Sequence, residues 1–267
     1  MICPYCGSEV KDGVKFCTEC GARLETQQQR ETAAVAANAG LILGAAAREA
    51  RRTAVYTEDQ IIDARVYNGI MMGVLLWGLL VNVLLCAYVG DVYEYINPVV
   101  FLIGYVVLAF AGILIAGKST NPWISFLGYN MVVLPFGLMI STLVAGYGGI
   151  DSAIVTYAFL YTMLITLGMA GAALAFPQLF AKLGGALLGT LIGLLICEVV
   201  LLILGVDQQV SDWIAAGIFS LYISYDVYRS QQFVKTVDNA VDCALDIYLD
   251  IANLFIRLLR ILSKKND

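Results

Sequence analysis

The chain has 267 residues, of which 60% are hydrophobic and only 14% charged, with a net charge of −5. A soluble domain carries about 25% charged residues, so this composition excludes an ordinary soluble enzyme, and the small, scattered acidic excess excludes a nucleic-acid partner. Uncharged stretches at 66–90, 95–117, 119–150 and 152–181 are each long enough to cross a hydrocarbon layer of about 30 Å at about 1.5 Å per residue. The fold class expected is all-α, a multi-pass membrane helix bundle, with the lipid bilayer as its first partner.

Residues 1–25 read as a separate unit. Cys3-Pro4-Tyr5-Cys6-Gly7 is followed by Cys17-Thr18-Glu19-Cys20-Gly21. Two Cys-x-x-Cys pairs, each closed by glycine, suit two turns that present four thiolates to one tetrahedral Zn²⁺. The expected cofactor is therefore structural zinc on Cys3, Cys6, Cys17 and Cys20, with no open position for catalysis. The unit resembles the short zinc ribbons at the ends of many prokaryotic proteins, which implies a prokaryotic cell membrane. Reduced cysteines place this end in the cytoplasm. The protein partner of the ribbon is not readable. The polar, cysteine-rich start leaves the first span to act as the insertion signal.

Residues 26–65 read as a linker, partly helical, with an Ala-rich run over 32–47 and a basic patch of Arg48, Arg51 and Arg52. From there to residue 263 a seven-span domain is expected, with helices near 66–89, 96–117, 123–145, 152–175, 183–205, 209–234 and 240–262. Arg65, Lys118, Lys182, Arg229 and Lys235 fall at alternate ends of these spans, whereas the other loops hold Asp91, Glu94, Asp151, Asp207 and Asp212. By the positive-inside rule the N-terminus is cytoplasmic. The basic tail, Arg257, Arg260, Lys264 and Lys265, disagrees, so either the last helix breaks the rule or it does not fully cross. Gly185, Gly189 and Gly193 repeat at the spacing that lets helices pack closely in lipid. Cys86, Cys197 and Cys243 read as apolar filler.

The first four spans contain no Asp, Glu, Lys or Arg, while the last three contain Glu198, Asp226 and the row Asp242, Asp246 and Asp250. Intramembrane carboxylates are costly and by default mark an ion or proton route. Folding the last two spans about a turn at Thr236-Val237-Asp238-Asn239 sets Asp226 opposite Asp250, about 12 residues and up to ~18 Å from the tip. The same register sets Lys235 opposite Asp242 and Arg229 opposite Asp246. Two carboxylates in a site of low dielectric share one proton. Protonated, the pair closes on itself; deprotonated, it repels, parts the helices or attracts a hard cation such as Ca²⁺. The other reading is a wet vestibule in which these aspartates only cap or pair.

At these residues the chain also resembles a known family. Gly217-Ile-Phe-Ser-Leu-Tyr-Ile-Ser-Tyr-Asp226 and Ala244-Leu-Asp-Ile-Tyr-Leu-Asp250, continuing to Leu262, look like the sixth and seventh helix signatures of the Bax inhibitor family, the transmembrane Bax inhibitor motif proteins. Phe180-Ala-Lys-Leu-Gly-Gly185 adds to the likeness, which covers about 60–263. The resemblance implies seven helices around a central last one. It also implies a pH-sensitive Ca²⁺ leak on Asp226 and Asp250, restraint of cell death in eukaryotic relatives, and a basic residue after the second helix, near Lys118, touching the pair in some members. The zinc ribbon and Glu198 fall outside that pattern. A non-enzymatic cation leak is thus the leading expectation. The rivals are a non-conducting membrane regulator and an intramembrane aspartyl protease; the latter lacks Gly-x-Gly ahead of Asp250 and a following Pro-Ala-Leu.

Overall fold

The structure, a computed structural model, describes Glu9, residues 52–53 and residues 60–264. The four ribbon cysteines and the Ala-rich run lie outside the described residues. From residue 60 onward the chain forms eight helices: α1 (Ala64–Tyr88), α2 (Pro98–Lys118), α3 (Pro122–Gly146), α4 (Ala153–Ala175), the single turn α5 (Pro177–Phe180), α6 (Gly184–Leu204), α7 (Gln209–Ser230) and α8 (Val237–Lys264). The ends follow local chemistry. Asp63, Asn97 and Asn121 each accept a hydrogen bond from a backbone N–H of the first turn of α1, α2 and α3, the arrangement that satisfies otherwise orphaned donors. Pro98 and Pro122 then occupy the first helical position, where a missing N–H costs nothing.

Among the described residues, five helices are long and apolar enough to cross a membrane: Ala64–Tyr88, Pro98–Lys118, Pro122–Gly146, Ala153–Ala175 and Ala186–Leu204. Large apolar side chains cover their outer faces, as at Phe110, Leu167 and Ile203, which suits lipid rather than water. The two remaining long helices, α7 and α8, are more polar and are packed inside. In α8 most residues are buried, including Asp238, Asn239, Asp242 and Asp250. Around it stand α1, α3, α4 and α7, with α2 held outside against α3 and α6 outside against α7. The most polar long helix is thus the axle of the bundle.

Close approach at the α2–α3 crossing depends on glycine. A Cβ on Gly112 would lie 2.6 Å from the Gly128 carbonyl oxygen, and one on Gly128 would lie 2.6 Å from that of Gly112. By contrast, Cβ atoms at Gly189 and Gly193 would meet nothing within 4 Å. These two glycines of the repeat read from the sequence face open space within this chain, not a neighbouring helix.

The bend between α7 and α8 differs from the expected turn. Asp238 and Asn239 are already helical, and of the expected turn only Thr236 lies in the connector. Thr236 Oγ1 accepts from Asn239 N at 3.1 Å, and α8 already runs from Val237. The connector is 231–236. Asp226 lies four residues from the end of α7, whereas Asp250 lies thirteen from the start of α8. For the two to be level, the connector descends about 13 Å past α7 before the chain turns back, given about 1.5 Å per helical residue. At the other end Lys264 binds Asp207, in the loop before α7. The last helix therefore runs the whole length of its neighbour.

Candidate functional site: the acidic pocket on the central helix

Between α7 and α8 lies a cavity of about 450 Å³, lined on its polar side by Arg52, Tyr222, Asp226, Arg229, Asp246 and Asp250, and on its apolar side by Phe136, Phe219 and Leu195. Its acidic wall comes from helical periodicity. Asp242, Asp246 and Asp250 repeat every four residues, so they rise along one side of α8, and Asp226 faces them from the last turns of α7. Asp226 and Asp250 both line this cavity, with their carboxyl groups near enough to interact directly. Two carboxyls placed together beside an apolar wall can share one proton. Asp250 Oδ2 has no hydrogen-bond partner among the described residues.

A basic residue that the hairpin register does not include joins this row of carboxylates. Arg52, read from the sequence only as part of a juxtamembrane patch, is 2% exposed. Its Nη1 lies 2.6 Å from Asp246 Oδ2 and its Nε 3.5 Å from Asp242 Oδ2. The guanidinium stacks 5.2 Å from the centroid of the Phe233 ring. The group is held as a cation by the two carboxylates, which offset the cost of its burial. Lys235 donates to the carbonyls of Ser230, at 3.1 Å, and Gln231, at 2.8 Å, closing the C-terminal end of α7, where a cation is favoured by the helix dipole. It also stands 4.5 Å over the Tyr67 ring. Arg229 lies over Tyr225 at 5.9 Å and over Phe233 at 5.2 Å, beside Asp226 on the cavity wall. Lys118 is exposed at the end of α2.

Glu198 is drawn into a different cluster. Arg257 Nη1 is 2.5 Å from Glu198 Oε1 and 2.9 Å from Asp212 Oδ1, and Arg260 stands 3.6 Å from Asp212. Asp212, expected in a loop, is buried in the first turn of α7. This four-charge cluster lies two turns of α8 beyond Asp250 and fastens the outer helix α6 to the axle. Among the described residues no group of three or more acidic, thiol or imidazole side chains is disposed to hold a metal ion.

Sequence comparison places these features. The profile of the family described as "Inhibitor of apoptosis-promoting Bax1" matches residues 59–267, which takes in α1 to α8 and the carboxylates of the pocket but not Arg52. The chain belongs to the Bax inhibitor family. Residues 2–24 match a zinc-ribbon domain. Shorter stretches match individual relatives. An uncharacterized protein of Helicobacter pylori is 38% identical over 90 residues, covering 33% of this chain and 38% of that protein. Bax inhibitor 1 of Saccharomyces cerevisiae is 42% identical over 57 residues, covering 21% of this chain and 18% of the yeast protein. The chain thus spans well under half the length of the relatives it matches. With five apolar helices and this membership, it is a multi-pass membrane protein.

Proposed function

We propose that this protein is a membrane leak for cations, Ca²⁺ foremost, whose route is shut while Asp226 and Asp250 share a proton and opens when they lose it. The observation that carries this reading is the meeting of these two carboxyls in a cavity walled by Phe136, Phe219 and Leu195. In such a place the charge state of the pair decides whether two helices attract or repel. Closed, the shared proton ties α7 to α8. Opened, two like charges face each other across a few ångströms and offer oxygen ligands that suit a hard cation. Asp242, Asp246, Arg229 and Lys235 set the charge around the pair. Glu198 serves the bundle through Arg257.

On this reading α8 crosses the membrane with its neighbours, and the end of the bundle that holds Arg52, the start of α1 and the α7–α8 connector faces the cytoplasm. That is the side richer in basic residues. The ribbon is a cytoplasmic accessory in which Cys3, Cys6, Cys17 and Cys20 hold one structural Zn²⁺, and its composition gives no reason to expect nucleic acid. The chemistry needs no nucleophile and no turnover, so no catalytic residue is assigned.

The test is transport by the purified full-length chain in liposomes loaded with a Ca²⁺-sensitive dye. Protein-dependent Ca²⁺ entry, absent from empty liposomes, is the expected result. Liposomes that stay tight to Ca²⁺ and to monovalent cations at every pH would leave a non-conducting membrane regulator in its place.

A further inference from the structure

Arg52 is built into the cavity far more firmly than a juxtamembrane arginine has reason to be. Its carbonyl accepts from Val234 N at 3.3 Å and from Asn239 Nδ2 at 3.1 Å. The backbone at that point is therefore docked on the α7–α8 connector. The side chain then enters the bundle, reaches Asp246 and Asp242, and shares the Phe233 ring with Arg229. Two guanidiniums on one ring repel, and the nearby carboxylates Asp246 and Asp242 offset that repulsion at Arg52. Arg52 Nη2 has no hydrogen-bond partner among the described residues, so the head group is not fully satisfied where it sits.

The charges on the cavity wall balance. Asp226, Asp246 and Asp250 face Arg52 and Arg229, and one proton on the Asp226–Asp250 pair leaves two negative charges against two positive. Asp242 lies behind Arg52, and Lys235 is turned to the end of α7. The two guanidiniums thus offset most of the pull that the acidic wall would exert on an entering cation. Losing the shared proton makes the wall one unit more negative, and removing Arg52 does the same.

We propose that Arg52 is a tethered counter-ion: the segment ahead of the first membrane helix inserts its guanidinium beside Asp246, occupies the place a permeating cation would take, and so holds the leak down. This rests on the cation-leak reading and names a regulatory element within it. Asp246 then serves to seat the arginine and is not a step in the route. The two roles give opposite signs on mutation, because freeing the arginine raises flux whereas removing a route carboxylate lowers it.

The experiment is Ca²⁺ entry into dye-loaded liposomes containing wild type, R52Q, R52K or D246N, each full length and shown monodisperse in detergent. R52Q, which makes the wall one unit more negative, is expected to raise entry several-fold at acid pH, to a level near that of wild type at alkaline pH; D246N, which frees the arginine but also removes a negative charge, is expected to raise it less, while R52K stays near wild type. If R52Q does not fold, D246N decides, since it keeps the arginine and removes its nearest anchor. Unchanged flux in a folded R52Q, or reduced flux in D246N, overturns the counter-ion role while leaving the leak standing. Absence of flux in every protein including wild type overturns the leak and the counter-ion together.

Discussion

The hydroxyl of Tyr248 on α8 sits 2.9 Å from Nδ2 and 3.1 Å from Oδ1 of Asn82 on α1, joining the axle to the first membrane helix. Both residues are buried, and the Tyr248 ring packs edge-on against Tyr129 at 5.9 Å and Phe136 at 6.2 Å. Tyr248→Phe keeps the ring and strands the amide. The expected loss is about 1–3 kcal/mol, the cost of an unsatisfied buried polar group. Tyr248→Ala also opens a cavity and should lose about 3–5 kcal/mol. Thermal unfolding in detergent reads both, and equal losses for the two variants would contradict this account of the contact.

The α2–α3 crossing allows a sharper contrast. Gly112→Ala or Gly128→Ala drives a methyl against a backbone oxygen, which no side-chain rotation can relieve. Overpacking of this kind costs about 1–3 kcal/mol. Gly189→Ala meets nothing within 4 Å and should be neutral or slightly stabilising. A loss at Gly189 as large as that at Gly112 would show that α6 has a partner outside this chain.

Arg257 clamps three helices. Arg257→Gln leaves Glu198 and the buried Asp212 without their main cation. The expected loss lies toward the low end of about 3–5 kcal/mol, because Arg260 still stands near Asp212. Adding Glu198→Gln should recover part of it, and a double-mutant cycle measures the coupling. The neighbouring Asp207 has its carboxyl held below the usual range by its hydrogen bond from Lys264. A depressed carboxylate contributes stability above its unfolded value, about 3.9, and loses it only as pH falls below that. Any pH response near neutrality therefore comes from elsewhere.

The four ribbon cysteines make a compositional prediction. The purified chain should carry one zinc per molecule by elemental analysis, and Cys17→Ser or Cys20→Ser should lose it. The helical content of the membrane domain should stay the same. A full complement of zinc in these variants would contradict the four-thiolate assignment.

Membrane class and helix positions were legible because long uncharged runs are local signals, and the observed ends fall within about four residues of those read. The family was legible in the two polar helices, where chemistry constrains the residues most. The α7–α8 bend was misplaced for a specific reason: Thr236, Asp238 and Asn239 are of the types that favour both turns and helix starts, and here they start α8. The Arg52 contact was invisible because its partner Asp246 is 194 residues away, and a single sequence holds no record of such pairing. Asp212 was hidden in the same way. It looked like a loop acid until a basic residue at the far end of α8 claimed it.

The central claim is that one proton on the Asp226–Asp250 pair closes the route. Its most direct test is the pH profile of Ca²⁺ entry into liposomes for wild type, D226N and D250N. Wild-type entry should rise as pH is raised through the titration of the pair, and both variants should lose that rise while remaining folded. A wild-type profile that is flat, or variants that keep the full pH response, would contradict it.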